Sequence, residues 1–142
     1  MYPLDVEMAY VTDNAVDICC DADVKLKRHQ KDKKFGEEEQ KIYVKNVEQF
    51  VGYFNKILAA HGKDFIAGDD LTIGDCAIAA TIFTFVYNDH LAGGTAFSDK
   101  GKSVIATHEH FCKYVGRLQT KLTDYLASRP QCPYWFNLDL LL

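Results

Sequence analysis

From Leu4 to about Gln30 the chain places apolar or small side chains at Met8, Val11, Ala15, Ile18, Ala22 and Leu26. Steps of three and four put these on one face of a helix, which Pro3 is placed to open. A polar stretch from Lys31 to Gly36 interrupts the pattern. It resumes with Tyr43, Val47, Phe50, Phe54, Ile57 and Leu58 and stops at His61-Gly62, where glycine supplies a helix terminator. Two long antiparallel helices are predicted.

The segment between Gly62 and Leu71 is rich in turn formers yet holds Phe65 and Ile66, which are expected to plug the core from a loop. Thr72-Ile73-Gly74-Asp75 then reads as a structural N-capping box. The Thr72 hydroxyl accepts from the amide of Asp75, and the Asp75 carboxylate reaches back to the amide of Thr72, at the positive end of the helix dipole. Residues 76–86 are apolar on nearly every face, as in a helix surrounded by others. Leu91 to Lys102 reads as a connection, and Thr107 as the cap of a last helix. The stripe of that helix, Phe111, Val115, Leu118, Leu122, Tyr125 and Leu126, runs to Arg129-Pro130.

This pattern predicts an all-α helical bundle, a single domain over residues 1–133. Residues 134–142 form a tail carrying Tyr134, Trp135, Phe136 and four leucines, expected to dock on the domain or on a partner. A chain of 142 residues, 48% hydrophobic, supports one real core.

A formal net charge of −4 offers a polyanion no long-range attraction, so nucleic acid is not expected as a partner. The basic stretch from Lys25 to Lys34 is broken by Asp32 and followed by Glu37, Glu38 and Glu39, the pattern of a solvated helix end. Five cysteines without a C-x-x-C spacing point to a reducing, cytoplasmic compartment. Met1 to Asp5 has no leader character, and no apolar run reaches the roughly 18 residues of a membrane span.

Three short motifs carry no chemistry. Gly101-Lys102-Ser103 ends like a phosphate loop, but Ala96 stands where that spacing requires glycine. His108-Glu109-His110 places its imidazoles two apart, on different helix faces, so no metal site is expected. Cys19 and Cys20 lie about 100° apart on a helix, one toward the core and one lateral. No catalytic residue is assigned.

The run from Phe65 to Asp75, a loop, a turn and a capped core helix, resembles the glutathione S-transferase C-terminal domain. Tyr2-Pro3 before an acidic helix is similar to the linker and first helix of that domain, and Tyr125 to Pro130 to its closing helix, so the resemblance covers Tyr2 to Pro133. In that family a preceding thioredoxin-like domain activates glutathione, and none of its elements is found in this chain. The resemblance implies a wall of an electrophile pocket, a dimer face and one acidic contact to glutathione. Asp13, Asp17 and Asp21 share one helical stripe, and the match to the family assigns the glutathione contact to Asp21. The alternative is a solvated or cation-paired stripe.

Two functions follow from the resemblance. The first is a non-catalytic interaction or structural module that needs no cofactor and docks a protein partner, a thioredoxin-like domain or a second copy. The second is the helical half of a glutathione transferase, with glutathione as substrate. A carrier with a hydrophobic pocket is a weaker third.

Overall fold

The computed structural model describes residues 2–31, 35–88 and 95–129. Six helices and no strand occur among the described residues: α1 (Val6–Lys31), α2 (Glu37–His61), α3 (Ile73–Phe85), α4 (Thr95–Ala106), α5 (Glu109–Lys121) and α6 (Thr123–Ser128). The fold is all-α.

The first helix is capped by Asp5 rather than started by Pro3. Asp5 Oδ1 accepts from the amides of Glu7 at 3.1 Å and Met8 at 3.0 Å, satisfying two donors that a helix start leaves free. Its buried face runs through Thr12, Ala15, Cys19, Ala22 and Leu26. That face lies mainly on α3, and glycine sets how close the two helices come. A Cβ built at Gly74 would stand 3.2 Å from the carbonyl oxygen of Thr12 and 3.3 Å from Ala15 Cβ. Cys19 is buried and Cys20 exposed, as adjacent helical positions require.

Helix α2 buries Tyr43, Val47, Phe50, Val51, Phe54 and Leu58, and ends where Gly62 takes φ 61°. Only glycine enters that left-handed conformation without cost, and its amide closes on Leu58 O at 3.0 Å. Phe65 and Ile66, though in the loop, are 4% and 0% exposed and complete the core from the side.

The C-terminal third departs from the sequence pattern at three places. The expected connection from Leu91 to Lys102 is helical from Thr95 onward, with Phe97, Ser98, Gly101 and Ile105 facing inward. Gly101 and the polar run Ser98-Asp99-Lys100 obscure that periodicity. Glycine is present for a packing reason: a Cβ there would lie 2.6 Å from Tyr43 Oη and 2.9 Å from Val86 Cγ1. Second, the N-cap of α5 is His108, not Thr107, whose hydroxyl turns back to Val104 O at 2.8 Å and closes α4.

Third, the single last helix is two. Leu122, at φ −106° and ψ 15°, separates α5 from α6, and Tyr125, placed on the buried stripe by its spacing, is 60% exposed. The apolar tail lies outside the described residues. Gly101-Lys102-Ser103 lies inside α4, where a phosphate loop has no place. Among the described residues no helix is long and apolar enough to cross a membrane.

Candidate functional site

The most connected polar group of the core is the carboxylate of Asp75, which is fully buried. Thr72 is the N-cap and Asp75 the third residue of α3, in the reciprocal arrangement of a capping box. Oδ2 accepts from the Thr72 amide at 2.8 Å and from the Thr72 hydroxyl at 2.7 Å. Oδ1 accepts from the Ile66 amide at 2.9 Å and from the phenol of Tyr114 on α5 at 2.7 Å. Four donors and the N-terminal end of α3 take the place of a cation.

Tyr114 completes this cluster, a residue to which the sequence pattern alone assigns no role. A signal existed: Tyr114 follows Phe111 by three and precedes Leu118 by four, so it falls on the buried stripe, and a buried phenol needs an acceptor. Burial and the adjacent carboxylate push its ionisation well above the usual tyrosine range, so it stays a donor at neutral pH. Tyr43 is held in the same way, by burial, and donates to Phe85 O at 2.7 Å. The Asp75 cluster is closed to solvent and joins the loop, α3 and α5. It is structural.

The acidic stripe lies on the outer side of α1. Asp13 accepts from the Tyr2 phenol at 2.8 Å, and that hydrogen bond raises the Tyr2 pKa. Asp17 is exposed, and Asp23, just off the stripe, pairs with Lys27 at 3.3 Å. Asp21 is exposed at the edge of a groove of about 280 Å³ between α1 and α2. Lys25, Asn46, Gln49 and Tyr53 line it as well, over a floor that includes Phe50. At one side Asn14 Nδ2 reaches across to Tyr53 Oη at 2.7 Å and ties the two helices together. The groove thus brings a carboxylate, an ammonium and two carboxamides together over an apolar floor. The lining includes neither thiol nor imidazole.

A second groove, of about 310 Å³, opens between α3, the end of α5 and α6. Its wall includes Cys76, Ala80, Phe83, Leu122, Tyr125 and Arg129. Arg129 donates to Phe83 O at 3.1 Å and stacks its guanidinium 6.0 Å from the Phe83 ring centre. His108, Glu109 and His110 form the start of α5, and the His108 ring meets Val104 O at 3.0 Å. Among the described residues no three His, Cys, Asp or Glu side chains gather as metal donors would.

Residues 22–129 match the family model described as glutathione S-transferase, C-terminal domain. No curated protein and no solved structure gives a significant match to the chain. The matched span begins in the middle of α1 and closes at Arg129, so it takes in the loop, the capped core helix and the Asp75 cluster. It covers well over half of the 142 residues. With its six-helix, all-α architecture, the chain belongs to the glutathione S-transferase C-terminal domain family.

Proposed function

We propose that this domain works as a non-catalytic interaction module, binding a protein partner through the outer face at the start of α1. One observation carries the reading: Leu4 is 101% exposed, Val6 82% and Tyr10 72%, and Ile73 at the start of α3 is also open. Leu4, Val6 and Tyr10 sit together at the start of α1, with Val6 and Tyr10 four positions apart on one helix face, and such apolar surface gains roughly 25 cal/mol per Å² when covered. A thioredoxin-like domain or a second copy of the chain fits such a surface, and neither requires a cofactor from this chain. The described cysteines are free thiols, in keeping with a reducing, cytoplasmic setting for the unit 1–133.

The test is the solution behaviour of the purified chain beside a Val6→Glu, Tyr10→Glu variant. Self-association by light scattering, or binding of an apolar dye, is expected for the parent chain and lost in the variant. A parent that is monomeric and binds no dye refutes the reading.

The groove at Asp21 favours a second reading, in which the chain is the helical half of a glutathione transferase and Asp21 holds the ammonium of glutathione. Retention on immobilised glutathione, abolished by Asp21→Ala, supports it. Passage of the parent chain without retention rejects it.

A further inference from the structure

Helix α1 packs one face into the bundle and leaves the opposite one open. Each residue turns the helix by about 100°, so Val6, Tyr10, Asp13, Asp17, Asp21 and Val24 fall within an arc of about 80°, diametrically opposite Thr12, Ala15, Cys19, Ala22 and Leu26. All six are exposed, Val24 at 72% as fully as Tyr10. Along about 27 Å of helix the outer stripe therefore reads apolar, acidic, apolar. Val6 and Tyr10 stand at one end, three carboxylates about one turn apart occupy the middle, and Val24 closes the other end.

The carboxylates have no cation of their own. From Tyr2 to Val24 the sequence holds six Asp and Glu and no Lys, Arg or His. Among the described residues none of Asp13, Asp17 and Asp21 has an ion-pair partner, and Lys25, four positions after Asp21, makes no bridge to it. Asp13 accepts only from the uncharged Tyr2 phenol. Like charges four apart on a helix repel, and covering them with apolar surface alone would add the cost of drying them. A partner that reaches from Val6 and Tyr10 to Val24 has to cross the carboxylates between, so it must bring positive charge to the middle of its contact. A second copy does not. Antiparallel pairing of two such stripes about a two-fold axis sets Val6 and Tyr10 beside the Val24 of the other copy, but it lays three carboxylates on three.

We infer that the outer stripe of α1 docks a cationic amphipathic segment of another protein, with apolar side chains against Val6, Tyr10 and Val24 and with lysine or arginine between them facing Asp13, Asp17 and Asp21. This rests on the outer face of α1 being a docking surface, and it chooses among the occupants of that surface: a partner with a basic, partly apolar face in place of a second copy. The apolar ends exclude water from around the charges, which strengthens the ion pairs between them, while added salt screens those pairs.

The probe is a labelled synthetic amphipathic helix of leucine and lysine, set beside one of the same pattern built of leucine and glutamate. By fluorescence anisotropy the full chain is expected to bind the first and not the second, with an affinity that falls as salt is raised. Asp13→Asn, Asp17→Asn and Asp21→Asn together are expected to weaken binding about tenfold while helical circular dichroism is kept. Glu48→Gln, Asp99→Asn and Asp124→Asn together remove the same charge from exposed positions of α2, α4 and α6, and are expected to leave binding unchanged. Equal weakening by the two triple variants overturns the inference, because the peptide then senses net charge alone. So does a parent chain that binds an apolar dye but takes up neither peptide, or both alike; the docking surface then stands with a different occupant. A parent dimer dispersed by Val6→Glu, Tyr10→Glu also keeps the surface and overturns the inference in favour of a second copy. A monomeric parent that binds neither dye nor peptide refutes surface and inference together.

Discussion

The phenol of Tyr114 donates to the buried carboxylate of Asp75 across 39 positions of sequence, at 2.7 Å. Through this contact the start of α3 and the middle of α5 meet on one side chain, whose donors are the Thr72 amide and hydroxyl, the Ile66 amide and the Tyr114 phenol. A carboxylate kept dry on hydrogen bonds alone holds only if nearly every lone pair is used.

Removing either partner of that contact is therefore unequal. Asp75→Ala strands the Ile66 and Thr72 amides and the Tyr114 hydroxyl, and at about 1–2 kcal/mol per stranded donor should cost about 3–6 kcal/mol. Tyr114→Phe removes one charge-assisted bond and should cost about 1.5–3 kcal/mol. Urea unfolding followed by circular dichroism measures both; equal losses would contradict the arrangement.

Two glycines in helices are expected to respond in opposite directions to the same added methyl. Gly116 in α5 is exposed and a Cβ there meets nothing within 4 Å, so Gly116→Ala should stabilise by about 0.5–1 kcal/mol. Gly101→Ala drives a methyl into Tyr43 and Val86 and should destabilise by about 1–3 kcal/mol in spite of its better helix propensity. Thermal unfolding of the two variants gives the sign directly.

Alkaline pH is expected to weaken the fold through groups that burial keeps protonated. Burial pushes the Cys19 thiol up to about 12 and raises the ionisation of Tyr43 and Tyr114 above the ordinary tyrosine value. Between the unfolded and folded pKa the native state binds more protons, so stability is complete below the unfolded values and falls as pH rises through that window. The decline should begin near about pH 9–10, where thiols and phenols of the unfolded chain ionise. Phenolate absorbance should show Tyr43 and Tyr114 titrating only with loss of helical signal, and Cys20 should react with a thiol reagent under native conditions while Cys19 does not. Early titration of all eight tyrosines would refute this.

The first two helices and the capped helix were legible because their signals are local: the stripe of α1, glycine at position 62, and threonine three residues before aspartate. The last third was not, because its determinants lie elsewhere in space. Gly101 reads as a helix weakener until Tyr43 and Val86 are seen against it, and Ser98 reads as surface although its hydroxyl is buried on Val86 O at 2.7 Å. Asp21 could be placed on an outer stripe from spacing, whereas the carboxamides of Asn46 and Gln49 opposite come from the register of α2, which no local pattern states. Tyr114 lay on a readable stripe, but its partner came from another helix.

The amides of Ile66 and Thr72 and the hydroxyl of Tyr114 are anchored to one side chain, so none of the three segments they belong to can loosen alone. Loop, core helix and α5 should open as one cooperative unit, with their slowest-exchanging amide protons converging on a common free energy. For evolution of the surrounding surfaces this means latitude: the outer faces of α1 and α6 are free to drift toward new partners while a single buried oxygen pair keeps the centre fixed.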